Sequence, residues 1–213
     1  MIHKFDKEKF EKMPVVGILR NIPLDVVKQV VPLYEKAGLT TIEVTMNSSD
    51  VESSIAFIKQ EHPNLNIGTG TVCTIEDVKK SVEYGASFIV TPILDEEVVK
   101  FCVSHEIPVF PGAFTPTEIY KAYSLGATAV KVFPATQLGA PYIKDVLAPL
   151  NNVKIIPTGG VSLENIHTFF EVGVVGVGMG SSLFHKEYIA TNNFDALYNH
   201  FNDVVKKVKS CLG

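Results

Sequence analysis

The chain is short of the residues that would place it in several large classes of protein. Its 213 residues include only three cysteines, Cys73, Cys102 and Cys211. An odd number without C-x-x-C spacing argues against a disulfide framework or a zinc ribbon and leaves buried or incidental thiols. No apolar run approaches the ~20 residues of a membrane span, the stretch from Phe88 to Leu94 being among the longest. The opening Met1-Ile2-His3-Lys4-Phe5-Asp6 has no signal-peptide apolar core, so the cytoplasm is the expected location. The net charge is only −4 and there is no basic stripe, which argues against nucleic acid or anionic membrane as the main partner and leaves small molecules or proteins. Neither G-x-G-x-x-G nor a P-loop is present, so no nucleotide is indicated. The six histidines, His3, His62, His105, His167, His185 and His200, are scattered without H-E-x-x-H, so no metal or cofactor is expected and surface or interface positions are the plain reading. Arginine is the scarcest charge of all, because Arg20 is the only one among 19 basic residues.

With 46% apolar and 20% charged residues the chain should fold compactly. Its length exceeds the ~100–150-residue mode for one domain but suits an α/β barrel, which takes ~200–250, so one domain over residues 1–213 is expected. Val15-Val16-Gly17-Ile18-Leu19 is a β-branched run, and Leu24 to Ala37 follows at helical spacing, with Pro32 expected to kink or split the helix. Thr41 to Thr45 then precedes Asp50 to Gln60, Leu65 to Gly68 precedes Thr74 to Tyr84, and Phe88 to Val90 precedes Glu96 to His105. Pro108 to Phe110 leads to Thr117 to Ser124, Ala129 to Phe133 to Tyr142 to Ala148, Lys154 to Ile156 to Leu163 to Val172, and Val174 to Met179 to Phe194 to Lys209. Helix–Gly–strand junctions recur at Gly38, Gly85, Gly126 and Gly173. Eight βα units of this kind close most economically into a (β/α)₈ TIM barrel, ahead of an open doubly wound sheet. Met1 to Met13, with Phe5, Phe10 and Met13 apolar, reads as an extra N-terminal helix covering the barrel's N-terminal end.

Polar residues inside apolar strands mark the candidate site. In Ala129 to Pro134 the period of two places Lys131 opposite Val130 and Val132, so it points inward if helices cover the valines. A buried amine has a lowered pKa and is suited to Schiff-base chemistry, whereas a lysine at a strand end merely snorkels. Glu43, at the centre of its own strand, shares the interior, either as a structural ion pair or as an acid/base beside an iminium. Arg20 directly follows the first strand, where a planar donor fork suits carboxylate or phosphate, or else pairs with an acid. Pro157-Thr158-Gly159-Gly160-Val161-Ser162 and Gly176 to Ser182 follow strands seven and eight, where barrels commonly bind phosphate; tight turns would explain either run alone.

These residues carry a resemblance. Gly17-Ile18-Leu19-Arg20, Glu43-Val44-Thr45, Gly68-Thr69-Gly70-Thr71-Val72, Thr91-Pro92, Lys131-Val132-Phe133-Pro134-Ala135 and Pro157-Thr158-Gly159-Gly160-Val161 occur in order, and the chain resembles the 2-keto-3-deoxy-6-phosphogluconate (KDPG) / 4-hydroxy-2-oxoglutarate (KHG) aldolases over about residues 14 to 185. The resemblance implies a class I, metal-independent barrel lyase without cofactor, a homotrimer, that splits a 2-keto-3-deoxy sugar acid into pyruvate and an aldehyde. It implies Lys131 as the Schiff-base lysine and Glu43 as the acid/base. Thr71, Pro92 and Phe133 match positions shaping the pyruvate pocket, and Thr158 adds a substrate contact. Arg20 matches the anion-binding arginine, while Gly159, Gly160, Gly180 and Ser181 match the phosphate cradle. Asn47 stands where many members carry an arginine, and Asn47-Ser48 is similar to the 6-phosphogalactonate branch, whereas Thr158 is closer to the phosphogluconate branch. Two competing readings are a phosphate-binding barrel isomerase or epimerase and a catalytically silent sugar-acid sensor.

Overall fold

A computed structural model describes residues 4–213, so Met1, Ile2 and His3, part of the expected leading helix, lie outside the described residues. Eight strand positions follow in order: β1 (Val15–Leu19), β2 (Thr41–Thr45), β3 (Asn66–Gly70), β4 (Phe88–Val90), β5 (Val109–Phe110 continuing as Gly112–Ala113), β6 (Val130–Val132), β7 (Ile155–Pro157) and β8 (Val177–Met179). Every pairing is parallel. β1 pairs with β2 and β8, and pairing runs on through β3 and β4 to the first half of β5. The second half of β5 pairs with β6, and β6 with β7. A bridge from Thr158 to Gly178 joins β7 to β8 and closes the ring. The expected barrel is therefore the observed one. The break in β5 falls at Pro111, which has no N–H to give the ladder, although its carbonyl still accepts the Lys131 N–H at 2.9 Å.

The helices are α1 (Lys7–Lys12), α2 (Leu24–Lys36), α3 (Val51–Glu61), α4 (Ile75–Tyr84), α5 (Glu96–Ser104), α6 (Pro116–Ser124), α7 (Gly139–Leu147), α8 (Ile166–Glu171), α9 (Lys186–Ala190) and α10 (Phe194–Leu212). Their ends follow local chemistry: Thr74 and Thr115 each form a capping box, with Asp77 and Glu118. Gly38, Gly85, Gly126 and Gly173 all have positive φ, which is why each repeat of the helix-to-strand junction carries glycine. Three expectations need correction. α1 starts at Lys7, because the Asp6 side chain accepts the Lys9 N–H and caps the helix there. Of the kink or split expected at Pro32, the split does not occur: α2 runs unbroken through the proline, which is exposed, so its missing hydrogen bond falls on the wet side of the helix. His62 is not a surface residue but is buried, with Nδ1 hydrogen-bonded to Glu35 at 2.5 Å.

The outer faces of the strands meet the helices in one large core that includes Ile42, Val44, Val130 and Val132. A second cluster fills the barrel itself: Phe10, Val16, Phe88, Val90, Phe110, Ala129 and Ile156, with Phe5 packed against it. The Phe5, Phe10, Phe88 and Phe110 rings lie 5.4 to 6.0 Å apart and seal the N-terminal end. Asn66 fixes this plug, accepting the Asp6 N–H at 2.7 Å and donating to the Asp6 carbonyl at 2.9 Å. Truncating Phe10 to alanine empties part of that seal. Urea unfolding of Phe10→Ala is expected to show a loss of about 3 kcal/mol; a loss under about 1 kcal/mol would mean that α1 is not part of the core.

Candidate active site

The inward position of Lys131 follows from the pleat of β6. Val130 and Val132 are taken by the helix-side core, and the lysine between them is 3% exposed and faces the interior. It does not snorkel. Its surroundings are Val16, Ile18, Val90, Phe110 and Ile156, and its ammonium lies 4.8 Å from the Phe133 ring centroid. Burial drives the pKa of this amine below the usual lysine range; the nearby Glu43 opposes the shift and Arg20 adds to it.

Glu43 is 1% exposed and sits in register between Ile18 of β1 and Gly68 of β3. Its carboxyl lies across Gly70, where an added Cβ would overlap Oε1, so glycine at this point of β3 is what leaves room for the acid. Oε2 has no hydrogen-bond partner, and no ion pair joins Glu43 to Lys131 or Arg20 among the described residues. A structural ion pair is therefore not what holds the two together. Burial raises the Glu43 pKa, with Lys131 and then Arg20 opposing. An acid pushed up beside an amine pushed down is an arrangement in which the affinities of the two groups for a proton are drawn toward one another.

Above this layer the barrel opens into a cavity of about 640 Å³ at the C-terminal ends of the strands. Ile18, Thr158 and Gly178 line both this cavity and the space around Lys131, so the two adjoin. Arg20, Phe133, Thr158, Gly159, Gly160, Gly180 and Ser181 all reach its wall. Gly159 and Gly160 have φ of 88° and 76°, and a Cβ on Gly160 would press on Thr136, so both the backbone shape and the close packing call for glycine. Thr71 and Pro92 do not line either space. Thr71 follows β3 in a left-handed conformation, with φ of 57°, and Pro92 follows β4 with its backbone packed against Gly112.

The wall also holds Ser162 and Ser182, the ends of the two glycine runs, and two polar residues that the sequence reading passed over, Asn21 and Lys186. Lys186 comes from α9, a five-residue helix too short to show a periodic pattern. The Asn47-Ser48 departure has a structural counterpart. Asn47 is exposed, whereas the Ser48 hydroxyl accepts the Asn21 N–H at 3.0 Å and lies 3.0 Å from the Thr45 hydroxyl, tying the turn after β2 to the loop carrying Arg20.

Glu43 has a thermodynamic signature that can be measured. With its folded pKa raised, the folded state loses stability as pH rises from the unfolded value of ~4.3 through the folded value. Glu43→Gln should therefore raise Tm at pH 7 by about 3 °C, or ~1 kcal/mol in a chain of this size, and the gain should vanish toward pH 4. A calorimetric scan showing the same difference at both pH values would mean that the carboxylate carries no burial cost.

Comparison with known proteins identifies the family. The family model for KDPG and KHG aldolase matches residues 7–200. The 2-dehydro-3-deoxy-phosphogluconate aldolase of Haemophilus influenzae is 34% identical over 203 residues, covering 93% of this chain and 96% of the relative. The 2-dehydro-3-deoxy-6-phosphogalactonate aldolase of Escherichia coli is 35% identical over 175 residues, covering 81% and 85%. The solved KDPG aldolase of Legionella pneumophila, in which pyruvate was captured as a covalent carbinolamine intermediate, superposes with a TM-score of 0.85 at 26% identity, covering 92% of this chain and 96% of that one. With the family model spanning most of the chain and a relative 34% identical over nearly its whole length, this chain belongs to the KDPG and KHG aldolases.

Proposed function

We propose that the protein, read as one barrel unit over residues 1–213, is a class I aldolase that cleaves KDPG to pyruvate and glyceraldehyde 3-phosphate, KHG to pyruvate and glyoxylate, or both. The observation that carries this reading is a buried amine beside a buried acid inside an otherwise apolar barrel, with no ion pair joining them among the described residues. The neutral Lys131 amine attacks the C2 carbonyl, and the carbinolamine loses water to give a protonated imine. Glu43 takes the C4 hydroxyl proton, the C3–C4 electron pair moves toward the imine, and aldehyde leaves an enamine behind. Glu43 returns its proton to C3, and water hydrolyses the imine to release pyruvate and free the amine.

Arg20 and the backbone of Gly159, Gly160, Gly180 and Ser181 hold the anionic groups, and Thr158 and Phe133 shape the space beside Lys131. Thr71 and Pro92 act from behind that space, as supports of the β3 and β4 ends. The isomerase and sensor readings give no reason for an amine and an acid buried together. A second substrate reading, 2-keto-3-deoxy-6-phosphogalactonate, is favoured by the Asn47-Ser48 turn and its tie to the Arg20 loop. Both epimers therefore belong in one activity screen.

The cytoplasm is the location we assign. No helix among the described residues is long and apolar enough to cross a membrane. We assign a homotrimer as the assembly. Its support, beyond the family resemblance, is the exposure of several large apolar side chains, Ile93, Phe114, Tyr120 and Tyr123 among them. Sedimentation equilibrium at micromolar protein should give three times the 23.3 kDa chain mass; a monomer mass would refute this assembly.

Incubation with pyruvate and sodium borohydride should add one reduced adduct to the intact protein, and Lys131→Met should abolish it. The adduct rate should rise with pH and reach half its maximum below the ~10.4 of an ordinary lysine. An unmodified wild-type mass in a folded sample would overturn the aldolase reading.

A further inference from the structure

The acid and the amine stand on different sheets. Glu43 belongs to β2, in the six-stranded sheet that runs from the first half of β5 round to β8, and Lys131 belongs to β6, in the three-stranded sheet made by the second half of β5, β6 and β7. Their separation is therefore fixed where the two sheets join. One join, between β7 and β8, has the Thr158–Gly178 bridge and the Val175 N–H, which donates to the Ile155 carbonyl at 3.0 Å. The other lies inside β5 at Pro111, which has no N–H for the ladder.

Thr91, the residue after β4, holds this second join from both sides. Its N–H donates to the Phe110 carbonyl at 3.2 Å, before the proline. Its hydroxyl accepts the Gly112 N–H at 3.1 Å, after the proline. A regular parallel ladder would present the Thr91 carbonyl to that N–H, and the side chain takes its place. The same hydroxyl donates to the Ile93 carbonyl at 2.5 Å, which occupies its only proton and leaves its lone pairs for Gly112. Thr91 and Gly112 are both buried, so the Gly112 N–H has no bulk water to turn to. Gly112 stands in register with Lys131, and the Lys131 N–H donates to the Pro111 carbonyl at 2.9 Å. The backbone of the lysine thus hangs from the segment that Thr91 braces.

We propose that Thr91 is a positioning residue for the reaction, its hydroxyl locking the join in β5 and so setting where the Lys131 amine stands relative to the Glu43 carboxyl. This rests on the aldolase reading and deepens it with a residue that lines neither the large cavity nor the space around Lys131. Without the hydroxyl the Gly112 N–H is buried unpaired, and the three-stranded sheet is free to shift against its neighbour. A shift of that kind misaligns two groups that must act on one substrate in turn.

Thr91→Val removes the hydroxyl and keeps the branched shape, whereas Thr91→Ser keeps the hydroxyl. On whichever of KDPG and KHG the wild type cleaves faster, kcat should fall about tenfold in the valine variant, with KM within twofold, and recover in the serine variant. An NMR titration of isotope-labelled lysine, with the Lys131 signal assigned by its loss in Lys131→Met, gives a second readout. Its midpoint should move up toward the ~10.4 of an ordinary lysine in Thr91→Val, because a loosened join admits water to the amine, and stay in place in Thr91→Ser. A kcat within twofold of wild type in Thr91→Val, an equal loss in Thr91→Ser, or an unmoved Lys131 midpoint would overturn the proposal. If Thr91→Val does not fold, Thr91→Cys, whose thiol is a weaker partner at the same place, should show a smaller loss of the same kind and is judged by the same limits. A wild type that traps no pyruvate overturns the aldolase reading instead, and the Lys131 titration then judges Thr91 alone.

Discussion

Keeping Lys131 dry is the condition on which the rest of the molecule is arranged. An ammonium inside an apolar barrel costs several kcal/mol unless it loses its proton or gains a partner. The fold gives it a neighbour in Glu43 without closing an ion pair, so each group shifts the other while both stay free to react. The strands yield space for this with glycine. Gly70 makes room for the Glu43 carboxyl and Gly178 for the Thr158 side chain, and larger residues at either position would push the functional groups out of their layer. Gly68, one step lower, instead admits the Phe88 ring, so the same device that frees the reactive layer also tightens the hydrophobic layer under it.

The barrel is thus polarised along its axis. Aromatic rings and α1 occupy one end, the amine and acid the middle, and cations with exposed backbone the other end. No single element builds the site. β1 carries Arg20 at its end, β2 carries Glu43, β6 carries Lys131, and the glycine loops follow β7 and β8. Parallel closure is what brings residues this distant in sequence to one place.

How much of this the sequence discloses depends on whether a residue belongs to a repeating pattern. Lys131 and Glu43 are legible because each interrupts a period of two, and a charge on the inner face of a strand has few ordinary explanations. The helix-to-strand glycines are legible because the left-handed turn they make recurs four times. Arg20 shows through composition alone, as the one arginine among many lysines. Lys186 and Asn21 lie in a helix of five residues and a loop, where no periodicity exists to be broken. The start of α1 depends on a single cap, and the interruption of β5 on a single proline. Thr71 and Pro92 stand back from the cavity wall for a related reason: their position is set by the backbone path after β3 and β4, and motif order carries no depth.

Among the described residues, the aromatic seal closes the end of the barrel opposite the cavity, and the 640 Å³ cavity adjoins the space around Lys131 from the other end. For the cleavage proposed above, the fragment tethered to the lysine lies at the bottom of a blind well and the other fragment lies over it. Release is then last in, first out: the aldehyde departs before pyruvate can, and an aldehyde that lingers in the mouth holds the enzyme in its enamine form. A kinetic order is in this way written into the architecture, by four phenylalanines at the end of the barrel opposite the chemistry.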